Sequence, residues 1–201
     1  MKFYASGGSP FVRKCMVVAH ERGIVNRLTV VDTQPRTSEE LHGITPLRKI
    51  PALVLDDGTW LVDSPVIAEY LDQVPGAPSL FPASGKVKWR ALQLQGLADG
   101  MNEAAVLWRQ EFMFREENER SPSWIAKQKA IVGRTMDYFA GEVGEFGDRV
   151  DIGTLCVGIA IAYVMFRFPD EAPWLKARPK LAAWFERFTD RPSFHATRPV
   201  A

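Results

Sequence analysis

The 201 residues carry a formal net charge of +1, with acids and bases mixed along the chain, so no basic field directs the protein to nucleic acid or to an anionic membrane surface. An apolar fraction of 46% excludes a disordered chain, and the length suits one large domain or two small ones. Cys15 and Cys156 stand far apart without CxxC or Cys/His ligand spacing, so a reduced, cytoplasmic, metal-free protein is the simplest reading.

The opening MKFYASGGSPF lacks the apolar core and small-residue cleavage site of a signal peptide. Lys2 to Ala5 reads as a strand and Ser6-Gly7-Gly8 as a loop. Ser9-Pro10 then pairs an N-cap with a first-position proline, opening a helix whose Phe11, Cys15, Val18, Ala19 and Arg22 share a stripe and which Gly23 ends. Leu28 to Val31 is a β-branched strand, and Thr33 to Gly43 a polar connection with one helical turn around Ser38 to His42.

Thr45 to Leu71 is the densest stretch. Ile50 to Leu55 and Thr59 to Val62 flank the turn signal Asp57-Gly58 and read as two antiparallel strands. Pro51 sits at the leading edge of the first, where a residue that cannot donate to the ladder is permitted. Its preceding bond is open to either isomer, and a cis form would turn the Ile50 N–H and C=O toward a ligand. Ser64 suits the N-cap and Pro65 the first position of a helix with Ile67, Tyr70, Leu71 and Val74 on one face. Its N–H groups and dipole favour an incoming anion; the alternative is an ordinary cap.

Asp72 to Gly85 holds three prolines and two glycines and marks a boundary. The expected organisation is residues 1–75 as one domain, 76–85 as linker and 86–201 as a helical domain. Lys86 to about Asn118 is helical, with Gly96 and Gly100 as bend points or close-packing positions. A second helix runs from Ser121-Pro122 to about Gly141. Val150 to Phe166 is apolar on nearly all sides yet short of the ~20 residues a membrane span needs, so it reads as a buried helix capped by Asp151. Thr154 stands where Glu or Gln would complete a capping box, leaving the box partial. Arg178 to Asp190 is a last amphipathic helix, and the tail from Pro192 has little pattern.

This combination resembles the glutathione transferase superfamily over essentially the whole chain. The resemblance is carried by Ser9-Pro10-Phe11-Val12-Arg13-Lys14, by Pro46-Leu47-Arg48-Lys49-Ile50-Pro51-Ala52-Leu53, by Asp63-Ser64-Pro65-Val66-Ile67-Ala68-Glu69-Tyr70-Leu71 and by the capped apolar helix after Asp151. It implies an α/β plus all-α fold, a thioredoxin-like N-terminal domain followed by an all-helical domain. It further implies glutathione as co-substrate, no metal, a cis Pro51, a cytoplasmic homodimer and a small hydrophobic electrophile as the second substrate. Ile50 would pair with the cysteinyl part of glutathione, Asp63 and Ser64 would hold its γ-glutamyl end, Lys49 its glycyl carboxylate, and Ser9 matches the catalytic serine.

Elementary chemistry agrees with that role for Ser9. A free thiol has a pKa near ~8.5, and a hydrogen bond to sulfur together with a helix N-terminus favours the nucleophilic thiolate. Tyr4 is the rival donor, while Cys15 lies too deep in its helix to replace Ser9. Three departures stand out: Thr45-Pro46-Leu47-Arg48 for the commoner Asn-Pro-x-Gly, Asp63 for Glu or Gln, and Thr154 for an acid. Phe11, Met101, Trp108, Arg109, Phe112 and Met113 are candidates for the second substrate. His20, His42 and His195 have no catalytic or metal spacing. The expected activity is thiol activation for conjugation or peroxide reduction; a glutathione-dependent isomerase and a non-catalytic binding module are the alternatives.

Overall fold

The first strand, β1 (Lys2–Ala5), follows an exposed Lys2 with three consecutive buried residues, Phe3, Tyr4 and Ala5, the continuous apolar run of a strand covered on both faces, and it lies inside the sheet. In the computed structural model, which describes residues 1–199, β1 pairs in parallel with β2 (Thr29–Asp32) and antiparallel with β3 (Ala52–Val54). β4 (Trp60–Leu61) adds antiparallel to β3, giving the order β2-β1-β3-β4. Helix α1 (Pro10–Glu21) makes the crossover between β1 and β2 and packs with α3 (Ser64–Gln73). Around α2 (Glu39–Ile44), Tyr4, Leu41 and Ala52 form a small core. The thioredoxin-like reading of this half is the fold observed.

Several local expectations shift. β3 starts one residue after Pro51, as expected of a residue without an N–H. The cap of α3 is Asp63, not Ser64: Asp63 is extended, its carboxylate accepts the Ser64 N–H, and Ser64 is already helical and buried. The tail has more structure than its sequence suggests, forming α8 (Pro192–Ala196).

The chain divides into two compact units, one comprising Met1–Ala83 and the tail from Arg191, the other Ser84–Asp190. The tail therefore belongs to the sheet-bearing unit. Arg13 on α1 donates to the Phe194 carbonyl at 3.1 Å and to Thr197 Oγ1 at 3.3 Å, and lies 5.2 Å from the Phe194 ring centre. Glu21 accepts from Arg191 Nε and Nη2, at 2.9 and 2.8 Å, and from the Ser193 hydroxyl at 2.5 Å.

Burial alone would raise the Glu21 pKa, but the Arg191 and Ser193 hydrogen bonds outweigh it and hold the carboxyl below its ordinary value. A depressed folded-state pKa contributes stability that is present above the unfolded glutamate value of ~4.3 and is lost as pH falls through the folded one. Arg191→Met is expected to lower stability by about 1 kcal/mol at pH 7 and by less at pH 3, read from paired thermal melts. An equal loss at both pH values would show that packing and not the ion pair is responsible.

The second unit is entirely helical: α4 (Gly85–Phe114), α5 (Pro122–Glu142), α6 (Ile152–Arg167) and α7 (Pro179–Thr189). α6 is buried from Ile152 to Ile161, as its uniformly apolar sequence requires. Its capping box is complete, correcting the partial reading. The Thr154 N–H donates to Asp151 Oδ1 at 3.0 Å and the Asp151 N–H donates to Thr154 Oγ1 at 3.1 Å, so a hydroxyl takes the place of a longer acid. α4 runs unbroken through Gly96 and Gly100, where an added Cβ would meet nothing; close packing falls instead at Gly153. Among the described residues, no helix is long and apolar enough to cross a membrane.

Candidate active site

The register of the sheet brings three chain segments together. Tyr4 lies opposite Ala52, so the end of β1, which leads into Ser9, is beside the start of β3, which follows Ile50 and Pro51. Leu53 lies opposite Leu61, so the end of β4, which leads into Asp63 and Ser64, falls at that same end of the sheet. Residues distant in sequence thus converge because of pairing alone.

At the first corner Ser9 caps α1. Its Oγ accepts the Val12 N–H at 3.3 Å, and the loop before it is tied by the Ser9 N–H to the Ser6 carbonyl at 3.2 Å. Among the described residues the Ser9 hydroxyl has no acceptor for its own proton, and the side chain is half-buried. At the second corner the Ile50–Pro51 peptide is cis, and neither the N–H nor the C=O of Ile50 pairs with another backbone group among the described residues. At the third, the start of α3 is exposed at Asp63 and buried at Ser64.

Lys14 is the charged residue that sequence reasoning missed. It is 1% exposed, and its Nζ donates to Ser64 Oγ at 3.0 Å. A buried ammonium behind a helix N-terminus adds to a potential that already favours anions. Its position three residues before Val17 on the buried side of α1 was the available signal. Cys15 is also buried, its Sγ 3.7 Å from the Ser64 carbonyl, in keeping with a packing role.

Tyr4 is engaged elsewhere. Its hydroxyl donates to Glu40 Oε1 at 2.5 Å, and burial first, then that carboxylate, pushes its pKa up to about 12. The phenol proton is held by a neighbouring acid on the face of the sheet that carries α2.

Lys49 is exposed. Beside it Arg48 takes φ of +51°, the left-handed region, at the place where the family's commoner pattern has glycine, and its N–H donates to the Thr45 carbonyl at 3.2 Å. The second-substrate candidates are scattered in their surroundings. Phe11 is half-buried on the first unit. Met101 and Trp108 are buried in the second, Trp108 stacked on Phe168 with centroids 3.8 Å apart, so both serve the core. Arg109 is half-buried, and Phe112 and Met113 are exposed. No group of three or more His, Cys, Asp or Glu suited to a metal occurs among the described residues.

Residues 8–74 match the model of the glutathione S-transferase N-terminal domain. An uncharacterized GST-like protein of Escherichia coli (strain K12), YibF, is 30% identical over 99% of this chain and 98% of its own. A glutathione transferase family member from Pseudomonas fluorescens Pf-5, crystallised with bound glutathione, is 38% identical, covers 100% of this chain and 99% of its own, and superposes with a TM-score of 0.93. A second structure of a glutathione transferase family member from that organism, with bound S-(propanoic acid)-glutathione, is 38% identical, covers 100% of both chains and superposes with a TM-score of 0.91. With the sheet, the cis proline and the capped helices in the family's order, the chain belongs to the glutathione transferase superfamily.

Proposed function

We propose that the first unit binds glutathione and that Ser9 activates its thiol for attack on small electrophiles or peroxides. The observation that carries this reading is the Ser9 hydroxyl: its oxygen is engaged by the Val12 N–H while its proton remains available, so it can donate to a sulfur held at the N-terminus of α1. Such a hydrogen bond lowers the thiol pKa from ~8.5 toward neutrality and raises the thiolate fraction. The thiol proton leaves to solvent, and the sulfur forms its new bond to carbon as the electrophile's leaving group departs with the electron pair, or to oxygen as the peroxide O–O bond breaks and the other oxygen leaves as alcohol or water after taking up a proton.

Binding is assigned to the other two corners. The free Ile50 N–H and C=O pair with the cysteinyl backbone of glutathione as an added strand would. The start of α3, with Ser64, takes the γ-glutamyl carboxylate, Asp63 its amino group, and Lys49 the glycyl end. The relatives crystallised with glutathione support that ligand. A homodimer is part of the proposal, with the exposed Val87 and Trp89 of α4 as apolar surface available to a second copy; light scattering at the mass of one chain would remove it.

Ser9→Ala is expected to lower kcat/KM for conjugation about 10- to 100-fold with the glutathione dissociation constant changed less than threefold. Tyr4→Phe is expected to leave rates within about twofold, because the Tyr4 proton already belongs to Glu40. Ser9→Ala rates within twofold of wild type across several substrates would overturn the mechanism. Absence of glutathione binding at millimolar concentration by calorimetry would favour the non-catalytic module.

A further inference from the structure

The first turn of α3 is a poor anion receptor by its own backbone. A helix start normally offers several unbonded N–H groups to an anion. Here the Ser64 N–H is taken by the Asp63 carboxylate, Pro65 has no N–H, and the Ile67 N–H donates to the Asp63 carbonyl at 3.0 Å. That leaves the Val66 N–H as the free donor of the turn among the described residues. Asp63 also brings a negative charge, which repels an incoming carboxylate.

Lys14 shifts that balance from the neighbouring helix. Its Nζ donates to Ser64 Oγ at 3.0 Å, and Lys14 and Ser64 are each 1% exposed. An ammonium has no lone pair, so Ser64 Oγ is the acceptor, and its hydroxyl proton, which has no acceptor among the described residues, is left to donate. The next residue of α1 holds the other end of Ser64: Cys15 Sγ lies 3.7 Å from the Ser64 carbonyl oxygen. Lysine is seldom buried, because its charge loses hydration, and the fully buried Val17 and Val18 show that this side of α1 is otherwise apolar. An alkyl side chain would fill the same space without that cost. What it would not supply is positive charge behind the start of α3.

We infer that Lys14 sets the affinity of this corner for a carboxylate, as a positioning residue that acts through Ser64 without touching the ligand. At 1% exposure its atoms are out of reach of a bound molecule, which meets the ammonium as a charge and as the hydrogen bond that frees the Ser64 proton. The consequence is a specificity: the peptide bound here must carry a carboxylate at its γ-glutamyl end, and one without it gains nothing from Lys14. This assignment rests on the glutathione reading.

Glutathione and 4-aminobutanoyl-cysteinylglycine, which lacks only that carboxylate, form a matched pair of probes. By calorimetry the wild type is expected to bind glutathione at least tenfold more tightly than the analogue. Lys14→Met is expected to weaken glutathione about tenfold and the analogue less than twofold, so that the preference collapses. In turnover the loss falls on KM for glutathione, with kcat at saturation within about twofold. Lys14→Gln, which keeps an N–H donor without the charge, is expected to retain about a third of the preference and serves if the methionine variant does not fold. Equal weakening of both peptides would mark Lys14 as packing alone. That result, an unchanged preference in every variant that folds, or a wild type that binds both peptides equally overturns the inference while leaving glutathione binding in place. A wild type that binds neither peptide at millimolar concentration overturns the glutathione reading, and the inference with it.

Discussion

Asp72→Ala is expected to destabilise the protein by about 3 to 5 kcal/mol, the range for removing one partner of a buried ion pair. Asp72 and Arg22 are both almost fully buried, with Arg22 Nε 3.3 Å from Asp72 Oδ1. The carboxylate does more than balance one charge. It accepts the Leu80 N–H at 2.8 Å, the Ser79 hydroxyl at 2.5 Å and the Phe81 N–H at 3.4 Å, while Arg22 donates to the Val74 carbonyl at 3.0 Å. One aspartate therefore anchors the whole proline-rich segment after α3 to the end of α1. Truncating it strands a buried guanidinium and a buried N–H together. The double substitution Arg22→Met with Asp72→Leu removes the stranded charge and is expected to recover at least half of the loss, measured by urea unfolding with the slope unchanged. If the double variant is no more stable than Asp72→Ala, the uncompensated charge is not the cause.

Gly153→Ala is expected to destabilise by about 2 to 3 kcal/mol, against the direction that helix propensity alone would give. Exchanging glycine for alanine inside a helix normally gains up to ~1 kcal/mol. At Gly153, the second residue of α6, an added Cβ would lie 2.6 Å from the Ala91 carbonyl oxygen, 2.9 Å from Ala91 Cα and 3.0 Å from Leu94 Cβ. Two of those three atoms are backbone of α4, and only separation of the helices relieves the contact. Gly100→Ala supplies the control: nothing lies within 4 Å there, so it is expected to stabilise by up to ~1 kcal/mol. Denaturation curves showing the same sign for both substitutions would refute the close approach of α4 and α6.

The contrast between those glycines shows what the sequence could and could not reveal. Gly96 and Gly100 stand out because they interrupt a long periodic pattern, but whether a glycine is needed depends on what faces it, and the facing residue on Gly153 comes from another helix. Local signals transfer well: Ser9-Pro10 opens α1, Asp57-Gly58 turns the hairpin, and Pro51 is cis as the family resemblance implies. They transfer less well where two adjacent residues compete for one role. Asp63 and Ser64 can both cap a helix, and only backbone conformation decides that Asp63 does. Thr154 looks too short for its box, although its hydroxyl reaches the Asp151 N–H directly.

Long-range facts are the least legible. The burial of Lys14 depends on Ser64, the commitment of Tyr4 depends on Glu40, and the order in the tail depends on Arg13 and Glu21. Met101 and Trp108 carry the right pattern for a helix face, and the pattern does not say that the face is interior. The candidate site itself is legible chiefly through its motifs; its physical basis, three strand ends meeting, requires the register.

The ownership of the tail by the sheet-bearing unit bears on how the chain is made. That unit holds the first 83 residues and then waits for Arg191 and the tail beyond it, with the whole helical unit synthesised in between. On the ribosome, Arg13 and Glu21 emerge long before Phe194, Thr197, Arg191 and Ser193 can meet them. The helical unit has no such dependence, since its residues form one uninterrupted run. The order of synthesis and the order of completion are therefore opposite: the half that emerges first is the half that finishes last.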